Sequence, residues 1–136
     1  GGKLVQGGKI HSDLGSGWYI EPTIFDNVTA DMTLFQQEVF GPILAVTTFT
    51  SDEEAVVLAN NSSYGLAASL YTESLKRAQR VSRAIRAGTV SINGFSEGDI
   101  TTPFGGFKQS GFGGRDKGLE ALQQYVQTKT IWYVQD

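Results

Sequence analysis

Few side chains in this sequence are equipped for covalent or metal chemistry. The 136 residues include no cysteine and a single histidine, His11. That removes thiolate nucleophiles, disulfides and thiolate zinc sites, and leaves no histidine cluster for a metal. Glycine is in excess, at 17 of 136 residues, against about 7% in ordinary proteins. The glycine-rich stretch from Gly94 to Gly114 invites comparison with loops that cradle phosphates. Gly106-Phe107-Lys108-Gln109-Ser110-Gly111 has the glycine gap of a P-loop, but Phe112-Gly113 follow where Lys and then Ser or Thr are required. Gly111-Phe112-Gly113 begins like a dinucleotide fingerprint, yet Asp116 stands where the third glycine belongs, and the stretch does not follow directly from a strand. Neither phosphate motif survives.

Composition excludes further classes. The net charge is −3, with no long run of one sign, so the positive footprint that nucleic-acid binding needs is missing. The basic residues Lys76, Arg77, Arg80, Arg83 and Arg86 read as the solvated face of a helix, with Arg83 and Arg86 placed to suit its dipole. No apolar run approaches the roughly 18 residues that span a bilayer, and no secretory leader pattern opens the chain. The expectation is a soluble, cytoplasmic protein with no nucleic-acid or membrane partner and no metal. Without a leader, the glycosylation sequons at Asn27 and Asn60 read as chance.

The elements that must position any site are α/β in character. Lys3-Leu4-Val5 reads as a short strand, Trp18-Tyr19-Ile20 and Thr23-Ile24-Phe25 on either side of Pro22 as extended pieces rather than helix, and Ile43 to Phe49 as a strand buried on both faces. Thr50 with Glu53, and Ser51 with Glu54, both have capping-box spacing ahead of a helix that ends at Asn60-Asn61. Leu66 to Tyr71 is a strand. Thr72 is expected to cap a longer helix with Leu75, Ala78, Ser82 and Ile85 on one stripe and Gly88 at its C′ position. Thr89 to Asn93 closes a βαβαβ pattern, which predicts parallel strands with crossover helices. A helix from about Asp116, with Leu119, Leu122 and Val126 on one face, and a terminal strand over Lys129 to Val134 complete the expected order.

Three stretches resemble the aldehyde dehydrogenase family. They are Glu38-Val39-Phe40-Gly41-Pro42; Ala59-Asn60-Asn61-Ser62-Ser63-Tyr64-Gly65-Leu66-Ala67-Ala68; and Pro103-Phe104-Gly105-Gly106-Phe107-Lys108-Gln109-Ser110-Gly111, which runs on to Gly114-Arg115-Asp116 and Thr128-Lys129-Thr130-Ile131-Trp132. They span nearly the whole chain in the family's order. The resemblance implies the parallel-sheet portion of a catalytic domain over residues 1–127 and an oligomerisation strand over 128–136, with the Rossmann-like cofactor domain outside this chain.

By the same resemblance Glu38 grips the paired ribose hydroxyls of NAD or NADP, a task suited to a carboxylate that accepts two hydrogen bonds. Phe40, two residues on in an extended segment, faces the same side and supports the nicotinamide ring. Without the family, Glu38 reads as a surface acid and Phe40 as a core residue. Phe104 is implied to line the substrate tunnel, against a simpler reading as a buried ring beside a turn. Phe95-Ser96-Glu97-Gly98-Asp99 matches the loop at the tunnel's substrate end, with Phe95, Glu97 and Asp99 as substrate-binding candidates. Two acids beside an apolar aldehyde are costly unless a cation pairs with them. The expected substrate is therefore an aldehyde of the aminoaldehyde branch, with solvated loop acids as the alternative.

The family's cysteine nucleophile and glutamate base are implied to lie upstream, so this polypeptide alone is expected to be inactive and to bind NAD weakly. Separated from neighbouring strands, it is expected to self-associate, with the parent a homo-oligomer. A stand-alone interaction module is the other reading, and a start at Gly-Gly rather than Met favours a longer parent.

Overall fold

The computed structural model describes residues 1–96 and 98–135. The chain forms two compact units, Gly1–Ser62 and Ser63–Asp136, both of α/β character. In the first, strands β1 (Lys3–Gln6), β2 (Thr23–Asp26) and β3 (Ile43–Ala45) make one sheet with β2 in the centre, antiparallel to β1 and parallel to β3. The β1–β2 register shifts between Leu4 and Gln6, leaving Val5 as a bulge. The centre of this unit holds two small residues, Val28 and Thr23, at 1% and 2% exposure. A threonine is tolerated there because its hydroxyl is satisfied twice. Thr23 Oγ1 accepts from the Gly8 amide at 2.8 Å and donates to the Glu21 carbonyl at 2.7 Å.

A single turn, α1 (Thr33–Gln36), precedes β3, and α2 (Asp52–Asn60) follows it. Of the two capping-box spacings, the fold uses the second. Ser51 Oγ accepts from the Glu54 amide at 3.1 Å, while the Glu54 carboxylate reaches back to the Thr50 amide and hydroxyl at 2.8 and 2.6 Å. Those Thr50 bonds hold the Glu54 carboxyl below its ordinary value.

In the second unit, β4 (Ala67–Leu70) and β5 (Thr89–Ile92) pair in parallel, from Ala67 opposite Thr89 to Leu70 opposite Ile92. Helix α3 (Leu75–Ala84) makes the crossover, as βαβ chemistry requires. Its cap is Ser74 rather than Thr72, through Ser74 Oγ and the Arg77 amide at 3.2 Å. Its buried face is narrower than the expected stripe: Ala78 and Val81 are buried, and Leu75 is exposed.

Further expectations need correction. The strands do not form one βαβαβ sheet, because β3 takes β2 as its neighbour and β4 pairs only with β5 among the described residues. Gly88 is not a helix C′ residue, since α3 ends at Ala84; its reason is steric and is given below. The helix after Asp116 is a 3₁₀ segment, Leu119–Gln124, starting from Gly118 at φ 61°. Leu119, Leu122 and Val126 are all exposed, and short α-helices depend on packing of an apolar face for support. Residues 126–135 contain no strand, and Trp132, Tyr133 and Val134 are exposed. No described helix is long and apolar enough to cross a membrane.

Candidate functional site

In the first unit, Glu38 to Pro42 lies between α1 and β3. Its backbone is held by two successive three-residue turns: the Gly41 amide donates to the Val39 carbonyl at 2.9 Å, and the Ile43 amide to the Gly41 carbonyl at 2.8 Å. The turns centre on Phe40 and Pro42, and the fixed φ of proline suits the second. The Pro42 carbonyl then accepts from the Thr23 amide at 2.8 Å, anchoring the segment to the central strand. On this anchored backbone Glu38 is exposed and Phe40 is 92% exposed. Glu38 has no hydrogen-bond or ion-pair partner among the described residues. An unengaged carboxylate two residues from a bare aromatic face, both on a fixed backbone, suits a diol beside a flat heterocycle.

In the second unit the glycine-rich stretch closes on itself. The Gly65 carbonyl accepts from the Gly88 amide at 3.0 Å and the Phe107 amide at 2.8 Å, and the Gly65 amide donates to Ser110 Oγ at 3.0 Å. A Cβ on Gly88 would stand 1.6 Å from the Gly105 carbonyl oxygen, which no relaxed packing permits. Gly65, Gly88, Gly105, Gly106 and Gly111 therefore approach protein backbone.

Phe104 is half-buried at the edge of this knot. It exchanges two backbone hydrogen bonds with Asp116, each 2.7 Å, and Lys117 Nζ lies 5.2 Å from its ring centre. Arg115 stacks similarly over Phe107 at 5.5 Å. Such cation–π contacts are worth about 0.5–1 kcal/mol at exposed positions.

Phe95 is 90% exposed. Asp99 is exposed, and its Oδ1 accepts from the Thr101 amide at 2.8 Å, the Thr101 hydroxyl at 2.6 Å and the Thr102 hydroxyl at 3.5 Å. The Thr101 hydroxyl is the main reason its carboxyl is held below the ordinary value. Glu97 lies outside the described residues. Thus Phe95, Asp99 and Phe104 belong to the second unit, and Glu38 and Phe40 to the first. Among the described residues no group of three or more histidine, aspartate or glutamate side chains is arranged to hold a metal ion.

Sequence reasoning missed the residues that hold this loop in place. Asn93 and Ser91 bond to Thr72 and Ser96, and Ser110 ties the knot to Gly65. The one available signal was the Asn93-Gly94 pair after a strand, a turn marker in its own right.

Comparison with known proteins identifies the family. Residues 1–131 match the aldehyde dehydrogenase family, so the chain belongs to that family. It is 56% identical over 117 residues to an aminoacetaldehyde dehydrogenase of Pseudomonas aeruginosa, covering 86% of this chain and 24% of that protein. To the NADP/NAD-dependent aldehyde dehydrogenase PuuC of Escherichia coli it is 53% identical over 113 residues, covering 83% of this chain and 23% of that protein. Among solved structures, the aldehyde dehydrogenase KauB of Pseudomonas aeruginosa superposes with a TM-score of 0.90 at 49% identity, over 97% of this chain and 26% of that one. An indole-3-acetaldehyde dehydrogenase solved with NAD+ gives 0.90 at 50% identity, over 98% of this chain and 27% of that one. The chain therefore spans about a quarter of the length of the relatives it matches.

Proposed function

We propose that this chain is the C-terminal part of an NAD(P)-dependent aldehyde dehydrogenase, and that the whole protein oxidises an aminoaldehyde to its carboxylate. The observation that carries the reading is the exposed, partner-free Glu38 beside exposed Phe40 in a chain of this family. Glu38 would accept hydrogen bonds from the ribose hydroxyls, and Phe40 would support the nicotinamide ring. NAD or NADP, when bound, supplies the hydride acceptor. The chain has no cysteine, so the thiolate must come from elsewhere in the parent, and these residues alone are expected to show no aldehyde-dependent NAD reduction.

Phe104 and Phe95 supply apolar surface for the aldehyde. The aminoaldehyde class is supported by Asp99. Its carboxylate is exposed and kept charged by the Thr101 and Thr102 bonds, which suits it to pair with a distal ammonium. Glu97 is proposed for the same role from its place in the sequence. The exposed Ile131, Trp132, Tyr133 and Val134 support the reading of residues 128–136 as a strand completed by another subunit, as in a homo-oligomer.

The test uses the full-length protein and compares kcat/KM for an aminoaldehyde with that for an alkyl aldehyde of equal length. Asp99→Asn keeps an acceptor for Thr101 while removing the charge, so it is expected to lower the aminoaldehyde value selectively, by roughly tenfold for one charge-assisted contact. Equal values for the two aldehydes in the unaltered protein overturn the substrate class.

A further inference from the structure

Phe95 combines two properties that rarely meet. It is 90% exposed, yet the backbone is tied down on both sides of it. On the N-terminal side, the parallel ladder ends with Leu70 opposite Ile92, and the Asn93 amide adds a last backbone bond to the Leu70 carbonyl at 2.8 Å. Beyond that point the Asn93 side chain continues the ladder. Its Oδ1 accepts from the Thr72 amide at 2.7 Å, and its Nδ2 donates to the Thr72 carbonyl at 2.9 Å. A carboxamide has one acceptor and one donor spaced like those of a peptide group, so it substitutes for the next strand residue while the main chain turns away. Asn93 itself sits at φ 53°, a left-handed conformation that asparagine tolerates better than most residues.

On the C-terminal side, Ser91 Oγ donates to the Ser96 carbonyl at 2.6 Å, and the Ser96 amide lies 3.4 Å from the same oxygen. Only Gly94 and Phe95 lie between the two anchors. An exposed apolar ring gains nothing from a fixed backbone in water, whereas fixing it beforehand reduces the entropic cost of closing on an apolar partner.

We propose that Asn93, with Ser91, is a positioning residue for aldehyde selectivity: its amide clasp on Thr72 sets where Phe95 meets the part of the aldehyde remote from the reacting carbon. This rests on the aldehyde dehydrogenase function proposed above.

The experiment uses the full-length protein with Asn93→Gly, Asn93→Asp and Ser91→Ala. Glycine accepts φ 53° and removes both Thr72 bonds. Aspartate keeps the acceptor for the Thr72 amide and sets an oxygen against the Thr72 carbonyl. Ser91→Ala frees the other side of Phe95 without touching the left-handed residue, so it tests the idea even if Asn93 variants fold poorly.

Hydrogen exchange resolved over residues 93–96 should quicken in all three, and the Thr72 amide should lose protection in Asn93→Gly but keep it in Asn93→Asp. The ratio of kcat/KM for a long aldehyde to that for acetaldehyde should fall on the order of tenfold, through KM for the long substrate, with kcat for acetaldehyde within about twofold of the parent. Unchanged exchange overturns the clasp. Quickened exchange with an unchanged selectivity ratio overturns the positioning role and leaves Asn93 purely structural. An unaltered protein that oxidises no aldehyde overturns the function on which the proposal rests, a result distinct from both.

Discussion

The Glu38–Pro42 segment and the glycine knot around Gly88 and Gly105 both bear family motifs, but they are built on different principles. In the first, backbone turns and one tie to β2 hold a loop whose side chains are exposed: Phe40 is almost fully exposed, and Glu38 is unengaged among the described residues. A Cβ on Gly41 would meet nothing nearer than Val39 Cγ1 at 3.9 Å, an ordinary contact. In the second, backbone packs on backbone, and a Cβ on Gly88 has no room at all. One region leaves its side chains exposed, the other depends on the absence of side chains. Glycine therefore has two meanings in this chain, and only contacts distinguish them.

That contrast can be broken most directly at Gly88. In the full-length protein Gly88→Ala should destabilise by about 3 kcal/mol or more, because the obstacle is a carbonyl oxygen and overpacking against backbone finds little relief; the midpoint of denaturant unfolding measures it. Glu38→Gln should leave that midpoint within about 0.5 kcal/mol, as expected for an exposed substitution, while weakening NAD binding by roughly ten- to a hundredfold through loss of a charged acceptor. Titration calorimetry decides this, and a large stability loss with intact binding would reverse the roles assigned to the two regions. Gly41→Ala should change stability by less than about 0.5 kcal/mol, the smallest mutational effect and the sharpest contrast with Gly88.

Smaller still is the pH response of the α2 cap. The Glu54 carboxyl is held below its ordinary value of 4.5 by the Thr50 hydroxyl and amide. A lowered folded-state value means that its contribution is present above the ordinary value and is lost as pH falls through the folded one. Acid should therefore release the Thr50 amide, seen as faster hydrogen exchange there, and Glu54→Gln should remove that pH dependence.

Much of the local structure was legible in the chain itself. The capping-box spacings at Thr50 and Ser51 announced the start of α2, and the extended piece at Thr23 and the strand runs at Ile43, Leu66 and Thr89 each contain an observed strand. Errors arose where partners decide. Leu75 looked like core and lies exposed, because α3 turns Ala78 and Val81 inward. The Ile43 strand looked buried on both faces, yet Leu44 is exposed. The segment after Gly118 had helical spacing but no surface to pack on.

By itself the sequence determined the α/β alternation, the helix caps, the lack of any thiol and the family to which the chain belongs, since these depend on residue type and short spacing. Tertiary structure alone decided which strands became neighbours, that Gly88 answers to Gly105, and that the Asn93 amide clasps Thr72. Those contacts join residues 17 and 21 positions apart, and no local propensity specifies which distant backbone a segment will meet.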